Sequence, residues 1–373
     1  MASGSGSPRV ADGAVLVYRL FDVADAIDLV AAEKAVAAPK SRLRLAGGQS
    51  GSALELPQPP LHLRLGPREV PLASGARRAE ASARVFEYGV VSVRYQLPIA
   101  PGTSLAELVP LAEELFVDPT PGIDLAARRE AEELSRAFGP AAERPHAWEG
   151  LESYQVFFVR GFEEEPVRAE ALLAEAPIPE LLLGETSPTP LSRAEREDVL
   201  GYRFTYLEDD LAVLHWNSAL VVEPSGVEDI PDLLELATAH LLELRYYDAL
   251  LDRELSRIYD EIEGGGSPIA NIFTRRYRRL QRETAALLLE LSEMIERLEN
   301  AVKIVGDFYL ARLYQSAVRR FRLPAWQDTV LRKQKLVADV NDLTGDAADT
   351  SRSELLEVAV ILLILFEIAA AFR

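Results

Sequence analysis

The feature that most limits what this chain can become is an apolar run near its C-terminal end. Leu355 to Phe372 spans 18 residues, and only Glu357 and Glu367 interrupt it. As a helix the run would measure about 27 Å, close to the roughly 30 Å of a bilayer's hydrocarbon core. Ser351 and Glu354 stand at capping-box spacing just before it, and Arg352 and Arg373 bracket it. Both acids lie toward the ends, where a charge costs less, and Val358–Phe366 has no polar face. The run predicts a C-terminal transmembrane helix over residues 351–373. The alternative is a helix buried in the core of a soluble oligomer.

Two heptad-patterned segments precede that run. From Ile230 to Glu263 the apolar positions Leu234, Ala237, Leu241, Leu244, Leu251, Leu255, Ile258 and Ile262 step by three and four. Gly264-Gly-Gly-Ser-Pro268 ends the segment, and Leu288, Leu291, Ile295, Leu298, Val302, Val305 and Tyr309 continue the pattern beyond it. A long antiparallel helical hairpin over residues 225–350 is expected, with a first arm about 50 Å long. Pro324 breaks the second arm, and a further helix is expected over Ala325–Leu343.

Asp248 occupies a seam position where leucine is expected. Folding the hairpin at Gly264–Ser267 sets it opposite residues 282–286, so the expected partner is Arg282. Two readings follow: an ion pair that fixes the register of the stalk, or a proton or cation site. The cluster Arg275, Arg276, Arg278, Arg279 and Arg282 opens the second arm. It reads as a solvated basic face, or as a contact for an acidic partner such as lipid headgroups or RNA.

Residues 1–12 read as a disordered lead and residues 13–224 as an α+β domain. Strands are expected at Ala14–Leu20, Pro57–Gly66, Arg84–Tyr95 (with a glycine bend) and Tyr154–Phe162. Helices are expected at Val23–Glu33, at Leu108–Phe116 after the Ser104/Glu107 capping box, and at Ala126–Phe138. Residues 163–198 read as a surface excursion with a short helix. Tyr202–Leu207 and Leu211–Val222, around Glu208-Asp209-Asp210, read as a hairpin. The fold class expected is therefore α+β: a mixed or antiparallel sheet with helices, then the long helical hairpin, then the transmembrane helix.

Charge and residue usage exclude several functions. A net charge of −19 argues against general nucleic-acid binding. The charge is uneven: residues 274–336 hold 14 Lys or Arg against 7 Asp or Glu, a local +7 that leaves −26 on the rest. With no cysteine there is no disulfide, thiolate nucleophile or cysteine-based zinc site. The start Met1-Ala-Ser-Gly-Ser-Gly-Ser-Pro8 has no basic and apolar signal pattern, so the N-terminal part is expected in the cytoplasm. Five lysines against 35 arginines suggest a GC-rich, bacterial source. His62, His146, His215 and His240 are scattered and read as surface or core histidines, and no metal or cofactor is expected. Neither a phosphate-binding glycine loop nor a nucleophile elbow occurs.

Glu296-Arg-Leu-Glu-Asn300, Lys303-Ile-Val-Gly-Asp-Phe-Tyr-Leu-Ala-Arg-Leu-Tyr314, Trp326 and Leu356-Glu357 before the apolar tail resemble the required-for-meiotic-nuclear-division family. Phe86-Glu-Tyr-Gly-Val-Val91 and Ala237-Thr-Ala-His-Leu-Leu-Glu-Leu-Arg-Tyr-Tyr-Asp248 fit its upstream strand and first long helix. That family is catalogued as a domain of unknown function. The resemblance, over roughly residues 80–373, implies organelle membranes, homo-oligomers and support of mitochondrial translation for eukaryotic members, and no established activity for a bacterial one. The architecture is also similar to the magnesium channel CorA. That channel needs Gly-Met-Asn between two spans, whereas the methionines here are Met1 and Met294 and one span is expected.

The expected protein is a tail-anchored, homo-oligomeric scaffold or tether in the bacterial inner membrane, in contact with membrane lipid and without catalytic activity. Two other readings are an oligomeric ion pathway with Glu357 or Glu367 facing inward, and an enzyme with a pocket in the α+β domain.

Overall fold

The computed structural model describes residues 8–43, 45, 58–116, 121–163, 167–263, 284–289, 291–292, 295 and 308–339. Contacts divide the chain into two units: residues 1–246 with 298–324, and residues 247–297 with 325–373. The boundary expected at residue 224 falls inside the first unit.

The first unit is built on a mixed sheet. Its strands are β1 (Arg9–Asp22), β3 (Lys40–Arg42), β4 (Leu61–Val70), β5 (Arg77–Val85), β6 (Val90–Pro98), β7 (Thr103–Ser104), β9 (Glu152–Phe162), β10 (Arg203–Phe204), β11 (Leu211–Leu214) and β12 (Ser218–Val222). The order is β10-β11-β12-β9-β1-β6-β5-β4-β3, with β7 on β1. Among the described residues only the β9–β12 pair is parallel. A separate two-stranded sheet joins β2 (Ala24–Ile27) to β8 (Ala142–Pro145). The helices are α1 (Leu29–Ala35), α2 (Val109–Phe116), α3 (Pro121–Phe138), α4 (Ala169–Glu175), α5 (Ile178–Leu183), α6 (Arg193–Val199), α7 (Asp229–Glu263) and α8 (Phe308–Arg320).

Several expected elements are placed differently, for local reasons. The helix expected over Val23–Glu33 is β2 followed by α1, because Asp28 accepts from the Val30 and Ala31 amides and starts the helix there. The strand expected over Arg84–Tyr95 is β5 and β6 around a turn at Phe86–Gly89. Gly89 has φ +94°, and a Cβ on it would meet the Ala24 carbonyl oxygen at 1.6 Å, so only glycine fits. Leu211–Val222 is two strands, because the chain turns at His215–Ser218 and the Tyr154 hydroxyl donates to both of those carbonyls. Residues 169–199 carry three short helices. The Ser104/Glu107 box forms: the Ser104 amide donates to Glu107 at 2.7 Å and the Glu107 amide to Ser104 Oγ at 3.4 Å.

The two faces of the sheet differ in chemistry. One carries Val17, Phe21, Leu63, Val93, Phe157 and Val159 and forms the main apolar core with α2, α3 and α5. Two polar side chains are buried among them: Arg19, paired to Asp124 of α3 at 2.6 Å, and Gln155, whose Nε2 donates to the Leu115 carbonyl of α2 at 3.2 Å. The opposite face carries Tyr18, Arg84, Ser92, Arg94, His62 and Tyr154. There the first part of α7 supplies Asp232 and Glu235 to Arg84, with Arg84 Nη2 to Asp232 Oδ1 at 2.8 Å, and Glu228 just before α7 pairs with Arg94. Burial lowers His62 to about 4, and the guanidinium groups of Arg84, Arg94 and Arg64 push the same way. α8 also belongs to this unit: Tyr314 bonds His240 Nδ1 at 3.0 Å, and Phe321 packs on Tyr154.

In the second unit Leu251, Ile258, Leu291, Val330 and Val337 are buried. Lys333 sits 2.6 Å from both Asp248 and Asp252. Arg282, the partner expected for Asp248, lies outside the described residues, as do Arg275, Arg276, Arg278 and Arg279 and the turn at 264–268.

The transmembrane part of the expected fold is corrected. Among the described residues no helix is long and apolar enough to cross a membrane, and residues 351–373 with Glu357 and Glu367 lie outside them. The tail-anchored, inner-membrane placement is therefore not supported.

Candidate functional site

β1 ends at Asp22, and the Val23 amide donates to Gly89 of the β5–β6 turn at 3.1 Å. β2 then pairs with β8 in the register Ala24↔Pro145, Ala26↔Glu143 and Ile27↔Ala142. This small sheet carries residues 144–146 back over the end of β1, and the His146 amide donates to the Val23 carbonyl at 3.0 Å. Arg144 adopts φ +45°, an uncommon conformation for a non-glycine residue and a mark of local constraint.

The imidazole of His146 is held on three sides. Nε2 lies 2.9 Å from Asp22 Oδ1, and Nδ1 lies 3.3 Å from Asp25 Oδ1. Arg144 pairs with the other oxygen of Asp25 at 2.5 Å. One ring face stacks on Tyr246 of α7, with centroids 4.7 Å apart and planes 2° from parallel, and Trp148 meets the same tyrosine edge-on. Arg128 of α3 secures the segment by donating to the carbonyls of Trp148 at 3.0 Å and Glu149 at 2.7 Å.

Electrostatics follow from this packing. Burial alone would depress His146, but the hydrogen bonds and charges of Asp22 and Asp25 outweigh it and hold the imidazole up at about 9. Burial pushes Asp22 above the usual carboxylate range, opposed by the His146 contact. Its Oδ2 is buried and has no hydrogen-bond partner among the described residues. Near neutral pH the pair is therefore imidazolium and carboxylate.

A cavity of about 220 Å³ adjoins this cluster, lined by Phe21, Asp22, Arg128, Arg136, His146 and Trp148, among others. No group of residues among those described has the composition of a metal site. The other histidines are elsewhere. His62 and His240 lie on the charged side of the sheet, and His215 is at the β11–β12 turn. Burial lowers His215 and His240 to about 4, with Arg320 adding to the effect on His215.

His146 reads in the sequence as one more scattered histidine, and its cluster has no local signature. Asp22 is 124 positions away in the chain, and no periodic pattern spans that distance. The nearest signal is compositional: Arg144-Pro-His-Ala-Trp148 is an arginine-histidine-tryptophan segment in an otherwise acidic stretch.

A family model described as "Uncharacterized protein MJ0711, N-terminal domain" matches residues 12–229. This range covers the sheet apart from the first three residues of β1, together with α1–α6 and the whole His146 cluster except Tyr246. The chain is similar to uncharacterized protein MJ0711 of Methanocaldococcus jannaschii, 26% identical over 183 residues, which is 47% of this chain and 52% of that protein. The match thus spans about half the length of that relative. No solved structure matches the chain.

Proposed function

We propose that this chain, which belongs to the MJ0711 N-terminal domain family, is a homo-oligomeric scaffold that performs no catalysis of its own. The observation that carries this reading is the state of His146. Both ring nitrogens face carboxylates, so the imidazole has no lone pair with which to take a proton from a substrate. A nucleophile would need such a base beside it, and the chain has no cysteine to act alone. The cluster is suited to holding a shape.

Assembly is supported by the heptad pattern and by the sequence resemblance to the required-for-meiotic-nuclear-division family. Apolar side chains also remain on the surface of the second unit: Tyr259, Leu331 and Leu336 are 56%, 41% and 52% exposed. Light scattering on the full chain at micromolar concentration tests the reading. A mass several times that of one chain is expected, and a single-chain mass overturns it. Turnover that is lost in a folded His146→Gln variant would overturn the non-catalytic part.

A further inference from the structure

We infer that the cavity beside His146 binds a small planar organic acid, its carboxylate on Arg136 and its flat apolar part against His146, Trp148 and Phe21. Nothing in the scaffold reading requires this site, so the two stand or fall separately.

His146 offers a ligand only what its neighbours leave uncovered. Its two nitrogens are turned to Asp22 and Asp25, and one ring face is covered by Tyr246. What lines the cavity is therefore the other ring face or the carbon edge. The cavity receives a cationic ring face or C–H edge with no N–H to give. Such a surface favours a planar, electron-rich group over a tetrahedral anion that needs direct donors.

The donors come from α3. Arg128, Ala131, Glu132, Ser135 and Arg136 follow i, i+3, i+4, i+7 and i+8 spacing, so they form one stripe of the helix, and all five line the cavity. Arg128 is already committed: two of its nitrogens bond the carbonyls of Trp148 and Glu149, and its guanidinium lies 4.9 Å above the Phe21 ring. Arg136 is different. Its Nε donates to the Glu132 carbonyl at 3.1 Å, and among the described residues no acid pairs with it. It presents the remaining edge of a guanidinium fork, which matches a carboxylate in two-point geometry.

Size and charge narrow the ligand. About 220 Å³ is below the roughly 300–1,000 Å³ of sites for drug-sized molecules, so the occupant is small. Asp22 gives its Oδ1 to His146 and keeps a buried Oδ2 without a partner among the described residues, and Glu132 is the other acid among the lining residues. Glu132 stands against an anion, and the size of its effect is part of the test.

Benzoate is the probe, titrated calorimetrically into the full chain, with benzamide as its neutral isostere. Benzoate is expected to bind at least about tenfold more tightly than benzamide, the value of one charge-assisted pair. Arg136→Gln is expected to remove that advantage. Glu132→Gln is expected to tighten benzoate about two- to threefold. Both side chains are on the surface of α3, so unchanged thermal melting will show that each variant is folded. Equal affinity for benzoate and benzamide, indifference to Arg136→Gln in folded protein, or no benzoate binding up to millimolar concentration would each overturn the inference.

Discussion

The two faces of the central sheet are both buried, yet different forces hold them. The face carrying Val17, Leu63, Val93 and Phe157 excludes water mainly with hydrocarbon and admits Arg19, with its own acid, and Gln155, bonded to a carbonyl of α2. The face beneath α7 buries Arg84 against Asp232 and Glu235 and half-buries Arg94 against Glu228, with Tyr18 and Ser92 between them. Hydrocarbon contacts tolerate sliding. Paired buried charges do not, because an ion displaced from its partner in a low dielectric is left uncompensated. The second face thus fixes where the start of α7 sits on the sheet, and the first supplies most of the burial.

The largest expected effect breaks the charged face. Arg84→Met strands Asp232 and Glu235 and should destabilise the first unit by about 3–5 kcal/mol in denaturant unfolding. Adding Asp232→Leu and Glu235→Leu should recover most of that loss, since a neutral lining of similar volume needs no ion partner. On the other face Leu63→Ala should cost about 2–5 kcal/mol through its cavity, and those same two changes should not rescue it. A loss under about 1 kcal/mol for Arg84→Met would mean that charge does not hold this face.

A smaller effect concerns the cluster where β1 ends. His146 titrates at about 9 when folded against an ordinary 6.5. Its contribution is fully present below about pH 6.5, where the imidazolium exists in both states, and fades as pH rises through about 9. Wild-type unfolding free energy should therefore fall across that window, with a shallower slope in His146→Gln. Parallel pH curves for the two proteins would remove the cluster from any part in stability. The smallest effect is expected from Arg193→Ala. Its exposed pair with Glu197 lies on α6, away from either face, and should contribute less than about 0.5 kcal/mol by the same unfolding assay.

Much of the strand and helix content is legible without the structure. Ala14–Leu20 is apolar at nearly every position because β1 is covered on both sides, and a strand of that kind reads as a continuous run. α7 is legible over its whole length from its steps of three and four. The misplacements share one cause. Val23–Glu33 has helical spacing, but the pairing of Ala24–Ile27 with Ala142–Pro145, more than 100 positions away, wins over local periodicity. Arg84–Tyr95 looks like one strand because the requirement for glycine at position 89 is set by the Ala24 carbonyl pressed against it, which no local pattern records.

The same limit governs the site. Local rules mark Ser104/Glu107 as a cap, because those bonds close within three residues. They leave Asp22, Asp25, Arg144, His146 and Tyr246 as five unrelated polar or aromatic positions. What the chain determined by itself was periodicity: which stretches are strands, which are helices, and where several of them stop, since each depends on neighbours a few bonds away. Only the tertiary structure decided that an arginine on β5 meets two acids on α7, and that one histidine of four is held between two carboxylates. A buried charge selects its partner by distance through space, and distance through space is what a linear pattern does not carry.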